Sequence, residues 1–465
     1  MKILQVANGF PPTTMGGTEL HTYQLSKELS SRGHTLHVFC REGDLEHDEY
    51  EIIDGEVDGL QVRRVVNNFL KMSSFDMYYK NDVIARQFEQ FLDEVLPDLV
   101  HFQHCVGLSA SLIEIAKSSG VPCVATLHDY WYICPRVQLL RPDMSICPGP
   151  NEGRDCAACL WGFSTTRARL RRLYFKIRDR LPRAPLLRAA SLLSMVNVPF
   201  MGARGGTPPT VDRTRYLRGV IMLCDAITAP SGFLRDVYAQ NGIPTDKITV
   251  MPLGIDTTPW QNANITPSPL TGRVRFAFIG RLLRHKGVHV LMEAFSTLED
   301  ADADLLIYGF EDEGDPYAGE LQRLALRDQR IHLMGRYEPH DLPAILANID
   351  AVVIPSLWHE TFSIVTREAV LSHRPVIASR VGAIPEIIKE GENGLLFEPG
   401  SRDDLGEKLR YFIANRDQLT EASHRADTQI RPMQAYAAEM ESLYETIQQA
   451  SYASARSLRN VPAAP

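Results

Sequence analysis

The chain has 465 residues, of which 44% are hydrophobic and 23% are charged, and its formal net charge is −8. This length predicts two or three domains with sizeable cores, and the acidic balance excludes a protein whose whole surface attracts nucleic acid. No run of residues has the length and apolarity of a membrane span. The eight cysteines and the lack of a signal-like N-terminus favour a cytoplasmic protein with free or metal-bound thiols.

The first 256 residues alternate strand patterns with helical patterns, which is typical of a doubly wound α/β domain. A first strand, Lys2 to Ala7, leads into a turn with Gly16 and Gly17 directly before a helical pattern. Glycines at a helix start let an anion approach the free backbone N–H groups there. The pair predicts such a site, although a plain turn and cap explain the same residues, and the spacing is not that of a dinucleotide site.

A histidine follows a later strand of this domain. The strand Val121 to Thr126 leads into Leu127 and His128, and the sites of parallel sheets form at the carboxyl ends of strands. His128 is therefore a candidate for chemistry. Asp129 either orients its ring or caps a turn. His101 and His104 lie near another strand end, where acceptor contacts and a structural role are both open.

Four cysteines follow within an insert at about residues 134–160 that has no periodic pattern. They are Cys134, Cys147, Cys156 and Cys159. A loop of this length buries little apolar surface and needs another constraint, and four thiolates can bind Zn²⁺ tetrahedrally. The spacing predicts a structural zinc site, with free thiols or an iron–sulfur cluster as alternatives. Such a site would order the loop near His128 and shape an acceptor site, without taking part in the chemistry.

Residues 163–193 are strongly basic, with nine arginine or lysine side chains interleaved with apolar residues. In an acidic protein this pattern predicts attraction to an anionic partner, either the inner face of a membrane or the diphosphate of a lipid-linked acceptor. A solvated amphipathic helix is the alternative. Nucleic acid is not expected as a partner, because no recognised binding module accompanies the stretch.

A linker at 257–272, rich in proline, threonine and asparagine, precedes a second strand–helix alternation at 273–415. The strand Val274 to Ile279 is followed by a turn with Arg281 and Lys286, and then by a helix. In such a turn both cations can converge on one anion, and the helix start adds its dipole. The turn therefore predicts a second anion-binding element.

The stretch 349–377 has the pattern strand, loop, helix, strand of a parallel sheet. Glu360 lies in the loop and Glu368 in the helix, whose start contains Phe362, Ser363 and Ile364. The helix start suits a phosphate, and Ser363 is a candidate N-cap. The two carboxylates would repel a phosphate and are better suited to accept hydrogen bonds from hydroxyls. Phosphate and hydroxyls together indicate a ligand such as a nucleotide sugar.

The pattern Glu360-x7-Glu368, followed by Pro375-Val-Ile-Ala-Ser and Gly391-Glu-Asn-Gly-Leu-Leu-Phe, resembles the retaining glycosyltransferases of family 4. The resemblance covers nearly the whole chain, and a subgroup of that family has a similar HDYW…CPR…Cys-rich insert. It implies the GT-B fold, in which two Rossmann-like domains, here 1–256 and 273–415, face each other across a cleft. It further implies a last helix at 416–450 that crosses back to the first domain, and we expect a disordered tail at 451–465.

The resemblance also implies roles for single residues. The implied donor-binding residues are Gly16, Gly17, Arg281, Lys286, Tyr337, Glu360, Phe362, Ser363, Ile364 and Glu368. Among them the glycines and the two cations face the donor diphosphate, Tyr337 lies in the turn at the base, Glu360 holds sugar hydroxyls and Glu368 holds ribose hydroxyls. The implied catalytic set is His128, Glu360, Arg281 and Lys286. No catalytic metal is expected, because no Asp-x-Asp motif follows a strand.

The function that we expect is transfer of a sugar from a nucleotide-diphosphate sugar to a glycan or lipid-linked acceptor, in bacterial surface polysaccharide or O-antigen synthesis. One alternative is a relative of the same fold that epimerises or hydrolyses nucleotide sugars. The other is a non-catalytic, metal-stapled adaptor that docks on a membrane or an anionic glycan.

Overall fold

The computed structural model of the protein describes residues 1–160, 209–261, 272–298, 301–309, 315–425 and 430–459. These residues form two sheets, one of eight strands and one of six. Alternate residues of β1 (Lys2–Ala7) join different cores, since Leu4 and Val6 pack on one face of the sheet and Ile3 and Ala7 on the other. Both faces are therefore covered, which is the arrangement that parallel sheets require. The predicted α/β class with two doubly wound sheets is confirmed.

The first sheet has the strand order β3-β4-β2-β1-β5-β6-β7-β8. Its further strands are β2 (Thr35–Glu42), β3 (Ile52–Val57), β4 (Leu60–Val66), β5 (Leu99–Phe102), β6 (Cys123–Thr126), β7 (Ala226–Ala229) and β8 (Ile248–Val250). Its longer helices are Gly17–Ser31, Asp82–Val95, Ser111–Ser118, Pro209–Ile221 and Gly232–Gln240. The antiparallel partner strand β3 was not predicted, because its polar residues and its glycine give no clear strand pattern.

The second sheet has the order β11-β10-β9-β12-β13-β14, and its neighbouring strands are parallel. The strands are β9 (Val274–Ile279), β10 (Ala303–Tyr308), β11 (Ile331–Gly335), β12 (Ala351–Ile354), β13 (Val376–Ser379) and β14 (Gly394–Phe397). The longer helices are Val288–Ser296, Pro316–Ala325, Leu342–Ala347, Ile364–Leu371, Arg402–Ala414 and Arg416–Arg425. The strand order reverses direction between β9 and β12, and such a point leaves a crevice for a ligand at the carboxyl ends of the strands.

The last helix, Met433–Arg459, lies on the first domain. Tyr436 and Tyr444 are fully buried in a core shared with β1. Glu441 accepts hydrogen bonds from Arg32 Nε and His34 Nε2, both at 2.8 Å. The structure continues this helix to Arg459, where the sequence predicted disorder from residue 451; alanine, serine and arginine are compatible with a helix there, and no proline or glycine interrupts them.

The chain crosses between the domains at two adjacent segments. Ile255 N donates to Arg431 O at 2.9 Å, and Met433 N donates to Ile255 O at 2.9 Å. The two segments thereby form a short parallel bridge between Ile255 and Pro432. Of the predicted linker 257–272, residues 262–271 lie outside the described residues, and so does the whole basic stretch 163–193. No helix of the described residues has the length and apolarity that a membrane span requires.

Candidate active site

The carboxyl ends of the two sheets face each other, and loops from both domains touch there. A Cβ placed on Gly17, the first residue of its helix, would lie 3.6 Å from Ile364 Cδ1 of the second domain. Thr361 Oγ1 donates to His128 O at 2.7 Å, and Tyr130 OH donates to His359 O at 2.9 Å. The glycine turn, His128 and the Glu360 loop therefore meet in one place, although they lie far apart in the sequence.

Glu360 lies where these loops meet, and the residue is only 5% exposed. Its Oε1 atom accepts hydrogen bonds from Ser356 Oγ at 2.6 Å, Lys286 Nζ at 2.8 Å and Trp358 Nε1 at 2.9 Å. Burial alone would raise the pKa of Glu360, but the charge of Lys286 and the three hydrogen bonds outweigh burial and lower the pKa. Glu360 is therefore an ionised, fixed hydrogen-bond acceptor.

The turn that carries Lys286 is locked against the Glu360 loop by a glycine. Gly287 follows Lys286 with φ of 73°, and a Cβ there would lie 1.8 Å from Pro355 O. Leu357 N also donates to His285 O at 2.8 Å across the same contact. Arg281 lies in the same turn, separated by Gly280 from the end of β9 at Ile279. Arg284, in contrast, pairs with Glu320 and lies over the ring of Tyr317, away from Glu360.

Glu368 lies in the helix Ile364–Leu371, and its surroundings differ from those of Glu360. Burial raises the pKa of Glu368 to about 7. Tyr337, in the turn after β11, is close enough that the charge of Glu368 adds to burial in raising the pKa of the phenol. The structure therefore places Tyr337 near Glu368, and the pKa values of Glu360 and Glu368 are shifted in opposite directions.

At the start of this helix the side chains of Phe362 and Ser363 are buried. Phe362 is buried in the core that joins the domains, with the Arg367 guanidinium 3.5 Å from its ring centre. Ser363 has φ of 56° and bonds to Thr366 Oγ1 at 2.6 Å, so it does not cap a backbone N–H with its side chain as predicted. The first N–H groups of any helix lack intrahelical acceptors, which leaves those after Ser363 available to an anion.

His128 is held by a side chain that the sequence did not indicate. Its Nε2 lies 2.7 Å from Gln103 Oε1, and its ring centre lies 5.4 Å from that of His21. Burial, followed by the charges of His21 and His104, lowers the pKa of His128 well below its usual value. His128 is therefore a neutral hydrogen-bonding group near pH 7. Gln103 gave no signal in the sequence, because only the pairing of β5 with β6 brings it beside His128.

Asp129 does not orient His128. Its Oδ1 accepts from Trp131 N at 2.8 Å, which is the turn-capping alternative, and its Oδ2 lies 2.8 Å from His104 Nε2. His101 is fully buried, with Nδ1 2.6 Å from Tyr444 OH and Nε2 2.7 Å from Thr126 Oγ1. His101 therefore has a structural role, which is one of the two alternatives that the sequence left open.

The four cysteines of the insert lie in one neighbourhood. Cys147, Cys156 and Cys159 line a cavity of about 630 Å³. Burial raises the pKa of Cys156 to about 12, and the charges of Cys134, Cys159 and Cys147 act in the same direction. As placed, no three His, Cys, Asp or Glu side chains in the described part of the chain are arranged to hold a metal ion.

A buried arginine lies beside these thiols. Arg213 is 3% exposed, and its Nη1 has no hydrogen-bond partner among the described residues. Burial lowers the pKa of Arg213 to about 10, while Cys134 and Cys156 act in the opposite direction. A buried cation is costly without a counter-charge, and the guanidinium is partly compensated by the hydrogen bond that Arg213 Nη2 donates to Trp131 O at 2.5 Å.

Further contacts hold the domains together beside the site. Ser231 Oγ donates to Thr361 O at 2.7 Å. The carboxylate of Glu386, in the second domain, accepts from Phe233 N at 2.6 Å at the start of the helix Gly232–Gln240. A carboxylate at a helix start is stabilised by the helix dipole. The arrangement described is therefore a closed one, with direct bonds across the cleft.

Two family models match the chain. The model described as glycosyl transferases group 1 matches residues 263–430, and the model described as glycosyltransferase family 4 matches residues 15–189. Each match corresponds to one of the two domains, and together they cover most of the chain.

Individual proteins match as well. The chain is 29% identical over 229 residues to MMP alpha-(1->4)-mannosyltransferase of Mycolicibacterium hassiacum, covering 48% of this chain and 54% of that protein. The chain thus spans about half the length of this relative. It is 24% identical over 401 residues to an uncharacterized 42.6 kDa protein in the cps region of Klebsiella pneumoniae, covering 83% and 87%. Among solved structures, Anabaena HepE in complex with UDP matches with a TM-score of 0.59 and 18% identity, covering 98% and 100%.

Proposed function

The chain has the GT-B fold and carries the two domains of a glycosyltransferase of that fold, and on this premise we propose that it is a retaining glycosyltransferase that needs no catalytic metal. It takes a sugar from a nucleotide-diphosphate sugar and transfers it to a glycan or lipid-linked acceptor. The observation that carries the proposal is the meeting of Glu360, Lys286, Gly17 and the start of the Ile364 helix in one interdomain site.

The reaction breaks the bond between the anomeric carbon and the oxygen of the donor diphosphate. The electron pair leaves with that oxygen, and the acceptor oxygen forms the new bond from the same face of the sugar. The acceptor proton passes to the departing phosphate oxygen. Negative charge therefore grows on the diphosphate, where Arg281, Lys286 and the backbone N–H groups of two helix starts supply fixed donors.

The two carboxylates hold the rest of the donor. Glu360 is ionised and accepts hydrogen bonds from the sugar hydroxyls, and Glu368 accepts them from the ribose beside Tyr337. The neutral His128 lies near the transferred sugar and forms hydrogen bonds there. This use of carboxylates differs from that in glycosidases, where two carboxyl groups flank the bond that is cleaved.

The resemblance and the basic stretch 163–193 support a choice of acceptor class and of cellular location. We propose an acceptor of a bacterial surface polysaccharide or O-antigen pathway, used at the inner face of the membrane through the basic stretch 163–193. The similarity to a protein in a cps region supports this choice. A hydrolase or epimerase of the same fold is distinguished by turnover of the donor when no acceptor is added.

Calorimetric titration with UDP, GDP and their common sugars tests the donor site. We expect one nucleotide to bind, with an affinity that rises about tenfold from pH 6 to pH 8, because Glu368 has a pKa of about 7 in the free protein and the ribose favours its ionised form. Protonation below this pKa removes acceptor lone pairs, so the affinity falls as the pH falls. Binding should release part of a proton to the buffer.

Two variants of Glu368 serve as controls. Glu368→Ala should weaken binding at each pH, and Glu368→Gln should remove the pH dependence while keeping part of the affinity. If Glu368→Ala binds and turns over a nucleotide sugar like the wild type, the donor site is wrongly assigned. If no nucleotide binds to the wild type, the result favours the alternative function as a non-catalytic adaptor.

We also propose that Cys134, Cys147, Cys156 and Cys159 bind a structural zinc ion. Their residue types fit zinc; burial raises the pKa of the Cys134 thiol, and the backbone N–H groups of Leu139 and Arg136 act against this rise. A tetrathiolate zinc centre carries negative charge, which would pair with the buried Arg213. The thiols would have to turn toward one point to reach the ion.

Elemental analysis of the purified chain tests the zinc site. We expect about one zinc per chain, as one tetrahedral site requires, and we expect that Cys156→Ser loses the metal and melts at a lower temperature. Cys224→Ser, at a thiol outside the insert, is the matched control and should keep the metal. A wild-type chain without zinc would favour free thiols, and iron with acid-labile sulfide would favour a cluster.

A further inference from the structure

We propose that Trp358 and Ser356 are positioning residues that hold Oε1 of Glu360 so that its Oε2 atom meets a hydroxyl of the donor sugar. This inference rests on the function proposed above and deepens it. Besides the residues that bind the donor itself, it names two residues that hold the carboxylate in place.

The hydrogen bonds to Glu360 are concentrated on one oxygen. Ser356 Oγ, Lys286 Nζ and Trp358 Nε1 bond to Oε1 at 2.6, 2.8 and 2.9 Å. A carboxylate with three donors on one oxygen is fixed in its rotation as well as in its position. Among the described residues these hydrogen bonds lie on Oε1, which leaves Oε2 as the oxygen for a ligand in this buried place.

The two neutral donors are needed because Lys286 has two tasks. In the free protein its ammonium group pairs with Glu360, and in the donor complex it also faces the diphosphate. When the phosphate draws the ammonium group toward itself, Ser356 and Trp358 still hold the carboxylate in its ionised form. Without them, donor binding would leave a buried carboxylate poorly compensated, which is costly.

The indole of Trp358 is itself held on several sides. Lys286 Nζ lies 5.3 Å from its ring centre, and the His285 ring meets it edge-on at 5.4 Å. Tyr130, from the first domain, meets it edge-on at 6.4 Å. Because one of these neighbours belongs to the opposite domain, the direction of the indole N–H depends on closure of the cleft. Closure is thereby linked to the alignment of Glu360.

Trp358→Phe tests this role, because it keeps an aromatic ring in place and removes the N–H group. We expect kcat to fall by about tenfold or more, the effect of losing one hydrogen bond to a charged group. The affinity for the nucleoside diphosphate alone should stay within about twofold, since that ligand lacks the sugar. The acid limb of kcat, measured at saturating donor where Glu368 is held ionised, should move to higher pH, because loss of a donor raises the pKa of Glu360. Ser356→Ala should act in the same direction.

Trp260→Phe is a matched control. The indole N–H of Trp260 donates to Ser372 Oγ at 2.6 Å, away from Glu360, so its loss should change neither kcat nor the pH profile. An active wild type whose Trp358→Phe variant keeps its kcat and its acid limb overturns this inference alone. If Trp358→Phe loses affinity for the nucleoside diphosphate by the same factor as it loses kcat, Trp358 has a merely structural role. That outcome also overturns this inference. A wild type that turns over no nucleotide sugar overturns the proposed function, and this inference with it.

Discussion

Replacing Lys286 by alanine is expected to lower kcat/KM for the nucleotide sugar by about a thousandfold. Two losses add up: the diphosphate loses a cation where its charge grows, and the buried Glu360 loses its ionic partner at 2.8 Å. Removing one fixed donor aimed at developing charge costs about 10²- to 10³-fold in rate, and the misalignment of Glu360 adds to this loss, while breaking the partly buried ion pair lowers stability. The pKa of Glu360 should rise in the variant, since the charge of Lys286 is the main influence that lowers it.

Initial rates at saturating acceptor, together with thermal melting, check this result. Lys286→Arg is informative as a second variant, because it keeps the charge but changes the geometry of the donor. Lys389→Ala, at an exposed lysine that pairs with Glu392 at 3.8 Å, should leave the rates unchanged. A Lys286→Ala enzyme within tenfold of the wild type would show that this cation does not stabilise the departing phosphate.

Gly382→Ala is expected to lower activity by about a hundredfold and to reduce the melting temperature. Gly382 has φ of 59°, and a Cβ there would lie 2.1 Å from Glu360 O and 2.5 Å from Glu360 N. Backbone atoms cannot turn away as a side chain can, so the Glu360 loop must shift. A displacement of about 1 Å at a catalytic group can cost about a hundredfold in rate.

Gly391→Ala separates the steric effect from backbone strain. Gly391 has φ of 80°, and a Cβ there would meet nothing within 4 Å. This variant should lose a little stability, as expected for alanine at positive φ, and should keep its activity. Equal activity losses in the two variants would contradict the proposed contact between Gly382 and the Glu360 loop.

The sequence predicted those site residues that follow strands of a parallel sheet. Lys286 follows β9 and Glu360 follows β12, and the strands are recognisable from their apolar runs, so the convergence of their ends needs no knowledge of side chains. Trp358 and Ser356 lie within four positions of Glu360 in the same loop. Their proximity in the sequence was a usable signal, but the sequence does not show which donors point toward the carboxylate.

The contacts that the sequence could not predict join distant parts of the chain. Gln103 meets His128 through the pairing of β5 and β6, and Glu386 meets the helix start at Phe233 across the cleft. Such contacts depend on strand order and on domain closure, which no local pattern contains. The αL conformation of Ser363 was missed for a related reason: serine is an ordinary N-cap residue, and the competing bond to Thr366 Oγ1 is visible only in three dimensions.

The two chain crossings at Ile255 and Pro432 lie side by side, joined by two backbone hydrogen bonds. Because both crossings lie at one point, they form a hinge. The domains can rotate about that point but cannot separate there without breaking the bridge. A small rotation about this hinge then produces a large displacement at the mouth of the cleft. Product can leave once the hydrogen bonds between Thr361 and His128 and between Phe233 and Glu386 break. The bridge at the hinge stays intact for the next catalytic cycle.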